Sequence, residues 1–304
     1  MQASLTDPAA APIRTTEGAS GRYRDIEDWS TGELVEGIIE GQFAAIAAVQ
    51  AARAAIAEAI EATAGRLGAT GRLIYLGAGT SGRIGAQDGA ELPPTFNWPY
   101  ERAITLMAGG AGALQRAVEN AEDSRDAAAE GLRALGLKPE DVVIGIAASG
   151  STPYVVAGLD HAHSAGALTI GIINSPGGLV GKAAEIEILL DTGPELLAGS
   201  TRMKAGTAQK AALNALSTGV MIRLGYVYRG LMVEMRPTNA KLRERAVVIV
   251  AQLTGAEMDA ARQALEQAGG VIKTATVMLA LSLGRADAEA ALTAAGGNLR
   301  RALA

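Results

Sequence analysis

Five short apolar runs between Arg72 and Asp191 constrain this chain more than any other feature. They are Leu73-Ile74-Tyr75-Leu76, Ala103-Ile104-Thr105-Leu106-Met107, Val142-Val143-Ile144-Gly145-Ile146, Leu168-Thr169-Ile170-Gly171-Ile172-Ile173 and Ile186-Glu187-Ile188-Leu189-Leu190. Each is short, rich in β-branched residues and followed by turn chemistry, with helical stretches between. Strands of this kind, apolar on both sides, belong in a parallel sheet covered by helices on both faces. The expected fold class is α/β, a doubly wound parallel sheet. Ligands in such sheets bind beyond the carboxyl ends of the strands, so the polar residues that follow each run matter most.

The flanks differ. Residues 1–29 are rich in Ala, Pro, Gly and charge without a sustained period, and read as an extended arm. From Ser30, apolar residues recur at helical spacing (Leu34, Ile38, Ile39, Phe43, Ile46, Val49, then Ile56 and Ile60), which predicts one or two helices ending near Gly65–Gly71. Their apolar positions spread widely around the helix, so burial against a second copy as well as the domain is expected. After about Tyr226 the strand rhythm stops. Helices are predicted over Lys241–Leu253, Glu257–Gln267, Val271–Leu283, Ala286–Ala295 and Asn298–Leu303, separated by glycine-rich joints. A cap packed over the sheet is the expected role of this small all-helical subdomain. The resulting division is 1–62 for arm and helices, 63–226 for the sheet domain and 227–304 for the helical subdomain.

Composition narrows the partners. A net charge of −5 argues against nucleic acid, which calls for a basic face. The absence of cysteine excludes disulfides, thiolate metal sites and thiol nucleophiles, and fits a reducing compartment. No signal-like segment opens the chain and no uninterrupted apolar run approaches a membrane span, so a cytoplasmic location without membrane partners is expected.

Three loops after strands carry hydroxyls. The first is Gly77-Ala78-Gly79-Thr80-Ser81-Gly82, where glycines let backbone N–H groups approach an anion and Thr80 and Ser81 open a helix. The second is Ala147-Ala148-Ser149-Gly150-Ser151-Thr152-Pro153, and the third is Gly199–Thr207. Ordinary N-capping is the competing reading of any one of them; three in one domain favour an anion site. No GxxxxGK[ST] run is present, and after Met107 the chain gives Ala108-Gly109-Gly110 rather than the acidic residue of a dinucleotide fold.

The strings LIYLGAGTSGRIG, AELPPT, AVENAEDS, GIAASGSTPYV and STRMKAGTAQKAALNALSTG, between Leu73 and Gly219, resemble the SIS (sugar isomerase) phosphosugar-binding domains. Within them the likeness is to the N-acetylmuramic acid 6-phosphate etherase family, and weaker similarity reaches both ends of the chain. The resemblance implies a cofactor-free lyase that removes the D-lactyl ether from C3 of the sugar in cell-wall recycling, acting on a small sugar phosphate. It also implies that Glu91, before Pro93-Pro94, and Glu122, in the AEDS string, are the catalytic pair. The glucokinase regulatory branch resembles the same strings, and its pattern points to Ser81, the loop Ser149–Thr152, Glu119, Asn239 and Lys241 as ligand contacts. With Thr80 and Gly82 of the first loop, these form the expected substrate site. Ser151 stands where that family usually has arginine.

The chemistry asks for the same groups. Opening the sugar exposes an aldehyde at C1, so a carboxylate base can take the C2 hydrogen and the C3 oxygen departs if an acid protonates it. Glu91 is the expected acid: placed at the C-terminal end of a helix from Arg83 to Glu91, it would meet the negative dipole end, and burial would raise its pKa further. Glu122 is the expected base, one helical turn from Glu119 and on the same face; a solvated acidic face is the competing reading. A helix of roughly 12–14 Å between the first loop and Glu91 keeps the two from crowding one phosphate; either the sugar spans that gap or Glu91 serves the neighbouring subunit's site, as in a homodimer with shared sites. His161 and His163, spaced i, i+2, are read as surface or packing residues rather than metal ligands. Met203, Met221, Met232 and Met235 are read as core filler, and Arg202 and Lys204 as anion contacts or solvated charges. Two other activities use the same loops: an aldose–ketose isomerase, which shares the α-proton abstraction, and a sugar-phosphate sensor, which needs neither glutamate.

Overall fold

The computed structural model describes residues 15–304. Five parallel strands form the sheet: β1 (Leu73–Gly77), β2 (Ala103–Met107), β3 (Val142–Ala147), β4 (Leu168–Ile173) and β5 (Ile186–Leu189). Their spatial order is β2-β1-β3-β4-β5. The chain leaves β1 for β2 on one side and returns to β3 on the other, so the order reverses between β1 and β3, the switch point where such sheets open a crevice.

Alternate residues of each strand feed two cores. Leu73, Tyr75, Ile144, Ile146, Ile170 and Ile172 face α1 (Thr31–Ala51), α2 (Arg53–Leu67), α3 (Gly79–Phe96) and α7 (Lys204–Arg223). Ile74, Leu76 and Val143 face α4 (Arg125–Leu135), α5 (Pro153–Ser164) and α6 (Leu179–Ala183). The expected doubly wound α/β arrangement is thus present, both faces of the sheet being covered by apolar side chains. At the opposite end of the strands from the loops, Asp141 accepts the backbone N–H of Arg72 at 2.9 Å and its Nε at 3.0 Å, tying the start of β1 to that of β3.

The N-terminal helices begin as the spacing predicts. Ser30 and Glu33 form a reciprocal capping box at the start of α1. By length and composition α1 could cross a membrane, with a mean hydropathy of 1.3; here it packs against α7. Residues 1–14 of the expected arm lie outside the described residues. From Thr15 onward the arm is not extended: it folds into short 3-10 turns, Thr16 is buried, and Gly199 donates its N–H to the Thr16 carbonyl at 3.0 Å.

Two expectations about helices are overturned. Helix α3 does not end at Glu91; it runs through Pro93 and Pro94 to Phe96 and closes on Asn97, whose left-handed φ of 54° lets its N–H reach the Pro93 carbonyl. Burial of Leu92, Pro93 and Phe96 offsets the backbone hydrogen bonds that the prolines remove. Glu119 and Glu122 do not share a helical face, because Asn120 is left-handed (φ 58°) and Glu122 lies in a 3-10 turn, Ala121–Asp123. The strand rhythm also does not stop at Tyr226: a two-residue hairpin, β6 (Val227–Tyr228) with β7 (Leu231–Met232), turns through Arg229-Gly230. Beyond it α8 (Ala240–Thr254), α9 (Met258–Gln267), α10 (Ile272–Leu281), α11 (Arg285–Ala294) and α12 (Leu299–Ala302) enclose a core of their own around Val250, Leu265 and Ala275.

Candidate active site

The switch point is built from two strand-to-helix turns. After β1, helix α3 begins at Gly79, whose φ of 51° suits glycine. A Cβ on Gly77 would sit 2.8 Å from the Gly82 Cα, so the first turn of α3 lies directly on the end of β1. After β3, the second turn runs Ala148–Thr152 into Pro153 at the head of α5. Neither helix is capped by a side chain: Ala78 cannot, and Thr152 makes no capping hydrogen bond. The hydroxyls of these loops are therefore not spent on N-capping; at α3 the first-turn residues Gly79, Thr80 and Ser81 line the crevice, whereas α5 opens on Pro153, which has no N–H, and the Val155 and Val156 N–H groups bond the Thr152 carbonyl.

The crevice is a cavity of about 330 Å³ whose lining includes Thr80, Ser81, Ser149, Ser151, Thr152 and Glu122, with Ala78, Gly79, Asp123 and Thr201 and the end of β3 beside them. Its chemistry is hydroxyls and amides on one side and two carboxylates on the other, with no lysine or arginine in the lining. Ser149 Oγ stands 3.4 Å from Thr152 Oγ1 and accepts the Ser151 N–H at 3.3 Å, which folds the second loop back on itself. Ser81 is buried, and its place in the first turn of α3 fixes it.

The remaining expected residues lie elsewhere in the chain. Gly82 packs against β1 and does not line the cavity. Glu119 is exposed on the β2–α4 segment, outside the lining. Glu91 is exposed on α3, so the burial expected of it is not supplied within one chain; Gln87 Nε2 donates to its Oε1 at 3.2 Å. Ten residues at about 1.5 Å each put Glu91 roughly 15 Å along the helix from Ser81. Asn239 caps α8, accepting the Leu242 N–H at 2.9 Å, and Lys241 is exposed as the second residue of that helix. The neighbouring Arg236, Thr238 and Leu242 share with Pro93 and Pro94 a second cavity of about 510 Å³. The expected residues thus fall into two groups, one at each end of α3.

The third loop behaves differently from its reading as an anion contact. Thr201 reaches the cavity, but Lys204 is buried and its backbone N–H, with that of Ala205, is held by the Glu195 carboxylate at 3.2 and 2.9 Å. Burial pushes the Lys204 ammonium down and the Glu195 carboxyl up, each against the attraction of the other. His163 is an exposed residue 3.6 Å from the Glu185 carboxylate, and Met221 and Met235 are core residues.

Asp123 and Thr201 were not among the expected contacts, although both sit in strings singled out by their chemistry. The residue that left no signal at all is Asp88, on α3. It is 4% exposed, and its carboxylate accepts Tyr75 Oη at 2.7 Å, Asn214 Nδ2 at 2.6 Å and Ser217 Oγ at 3.1 Å. Burial raises its pKa, the three hydrogen bonds opposing and the nearby Glu91 charge adding to the rise.

Residues 114–219 match the SIS domain model, and residues 55–163 match that of the glucokinase regulatory protein N-terminal SIS domain. With the sheet order and the hydroxyl-lined crevice at its switch point, they define an SIS-domain protein. A phosphoheptose isomerase structure from Francisella tularensis is similar at 18% identity and a TM-score of 0.46, over 64% of this chain and 98% of that one. Over nearly the whole chain the likeness is closer to another group. An N-acetylmuramic acid 6-phosphate etherase of Deinococcus radiodurans is 48% identical across 98% of this chain and 96% of its own length. One of Mycolicibacterium smegmatis is 46% identical across 95% and 97%. The chain belongs to the N-acetylmuramic acid 6-phosphate etherase family.

Proposed function

We propose that this chain cleaves the D-lactyl ether of N-acetylmuramic acid 6-phosphate, releasing D-lactate and N-acetylglucosamine 6-phosphate, a reaction of cell-wall recycling. The observation that carries the reading is Glu122 on the same cavity as the amide- and hydroxyl-rich turns. The phosphate is received at the first turns of α3 and α5 by Thr80, Ser81, Ser149, Ser151 and Thr152, through neutral donors and helix dipoles rather than a cationic side chain. This favours a group that must be held and released in each turnover.

With the ring open, Glu122 removes the C2 proton, made acidic by the C1 aldehyde. The electron pair moves to form the C2–C3 double bond as the C3–O bond breaks, and Glu91 protonates the departing lactyl oxygen. Water then adds its oxygen to C3 and a proton returns to C2, which restores the amino sugar. The net change is ether plus water to two alcohols, which acid–base groups supply by themselves.

A homodimer with shared sites accounts for the two groups of residues. Val35, Ile39, Phe43 and Ile46, at i, i+4, i+8 and i+11 of α1, are 50%, 51%, 73% and 52% exposed. That stripe suits a second copy. In the pair, Glu91 with Asn239 and Lys241 completes the partner's site and is removed from solvent, while Glu119 stays on the segment of Glu122. The lack of cysteine and the acidic balance support a cytoplasmic setting. The boundary at 226/227 is supported by the change of core between Val227 and Tyr228; at 62/63 helix α2 runs on without a break, and Ile56, Ala59 and Leu67 share the core of the sheet.

Isotope exchange separates the two glutamates. In D₂O, Glu122→Gln abolishes both deuterium uptake at C2 and lactate release. Glu91→Gln retains exchange at C2 while losing lactate release by roughly 10²–10⁴-fold, because abstraction is reversible when departure is blocked. Wild-type lactate release in either variant removes that residue from the mechanism, and the opposite pattern reverses the roles.

A further inference from the structure

Glu122 is carried by a segment that has little structure of its own. Between β2 and α4 the chain makes only two 3-10 turns, Ala111–Leu114 and Ala121–Asp123, and Gly109, Gly110 and Asn120 all have left-handed φ. Most of its side chains face solvent; Ala113 is buried. Such a segment does not hold a carboxylate to within a fraction of an ångström by local forces alone.

Beyond its own turns and the strand and helix that flank it, the described hydrogen bonds of residues 109–123 reach one other element twice, and one side chain makes both bonds. Arg83 Nε donates to the Leu114 carbonyl at 3.1 Å and Arg83 Nη2 to the Ala113 carbonyl at 2.9 Å. Arg83 follows Gly82 in the first turns of α3, does not line the cavity and has no carboxylate within ion-pair distance among the described residues. Its planar fork of donors matches two successive carbonyls, which a lysine ammonium cannot do in one geometry.

We infer that Arg83 is the positioning residue of the reaction: it clamps the Glu122 segment onto the helix whose N-terminus forms the other wall of the cavity. The guanidinium makes base and phosphate cradle one rigid unit, so that Glu122 stands at a fixed height over C2 when the phosphate is seated. The inference rests on the reading of Glu122 as base. Displacement of a reacting group by about 1 Å costs on the order of 10²-fold in rate, which sets the expected effect.

The test compares Arg83→Ala and Arg83→Lys in the full chain. Three readouts are followed: C2 deuterium uptake, lactate release, and amide hydrogen exchange of peptides covering residues 109–123. Arg83→Ala is expected to lose about 10²-fold in kcat for uptake and release together, with KM nearly unchanged. Its amides over 109–123 exchange faster, and added guanidinium ion restores part of the rate. Arg83→Lys, which keeps the charge and one donor, falls between; it carries the test if the alanine variant does not fold. Wild-type uptake and amide protection in Arg83→Ala overturn the inference. So does a rise in KM that accounts for the whole loss, which makes Arg83 a substrate ligand. Full exchange in Glu122→Gln sinks the base reading instead, while the amide protection still judges the clamp.

Discussion

Replacing Asp88 tests how α3 is fixed between β1 and α7. The Tyr75 ring lies against Gly85 and Gly89, where Cβ atoms would come within 3.6 and 3.1 Å of it, and its hydroxyl reaches Asp88 one turn before Glu91. Asp88→Ala removes the acceptor of three donors. Tyr75 is 1% exposed and Ser217 is 6% exposed, so two of these donors have no route to water; each unsatisfied group costs about 1–3 kcal/mol. Asn214, half-buried, can turn to solvent. Relief of the buried carboxylate offsets part of the loss, which leaves a net destabilisation of about 3 kcal/mol. Asp88→Asn keeps the shape and one acceptor oxygen and should cost about 1 kcal/mol. The two differ again with pH. A carboxyl whose folded pKa is raised binds its proton more tightly in the native state than in the unfolded chain. Its contribution is therefore fully present below the ordinary carboxylate value and is lost as pH rises through the raised one. The wild type's advantage over Asp88→Asn should shrink between about pH 4, the ordinary carboxylate value, and pH 8. Urea unfolding of the three proteins at both pH values, read as midpoints at constant m, is the assay. An alanine variant within about 0.5 kcal/mol of wild type, or an advantage over Asn that grows with pH, would show that this network does not hold the helix.

Two further outcomes are expected. Turnover should survive exhaustive chelation, since the proposed elimination uses only acid and base and, among the described residues, no three His, Cys, Asp or Glu are grouped to hold a metal; loss in EDTA that a divalent ion restores would refute it. Light scattering should give a mass near twice 30.9 kDa, and Phe43→Glu, in the exposed stripe of α1, should yield a monomer without lactate release. A monomer that keeps full activity would refute the shared site.

The strands were readable because burial on both faces leaves no polar positions to interrupt an apolar run, so Val142–Ala147 or Leu168–Ile173 stand out without reference to any partner. The helix caps at Ser30 and Asn239 are local in the same way. What escaped depends on residues far apart in the chain. Local rules stop a helix at Pro93, yet burial of Leu92 and Phe96 carries α3 past it. The acidic string from Glu119 to Asp123 has helical composition, but the left-handed Asn120 interrupts it and Ala121–Asp123 close as a 3-10 turn. Asp88 was invisible because its partners lie 13, 126 and 129 residues away in sequence. In the site, the residues next to a strand end were found together, whereas Glu91, Asn239 and Lys241, tied to their roles by resemblance alone, were not brought to them within one chain.

That separation has a mechanical meaning. Helix α3 acts as a ruler: on the proposed reading its first turn receives the phosphate, and Glu91 stands roughly 15 Å further along, beyond the reach of a glutamate side chain. Straightening or shortening the helix is not available, because Asp88 and the Tyr75 ring pin its middle to β1 and α7. An acid at that position serves either a sugar long enough to span the gap or, on the proposed dimeric reading, a sugar seated in the neighbouring copy; the same end of α3 borders the segment that carries Asn239 and Lys241. Two copies that exchange these ends give each cavity its own base and its neighbour's acid. In that arrangement, elimination waits on assembly, and a lone chain retains the wall that binds phosphate and removes the C2 proton while lacking the group that lets lactate go. Mixing an assembled Glu122→Gln protein with Glu91→Gln should then regenerate activity, since half of the mixed dimers' sites combine an intact base with an intact acid.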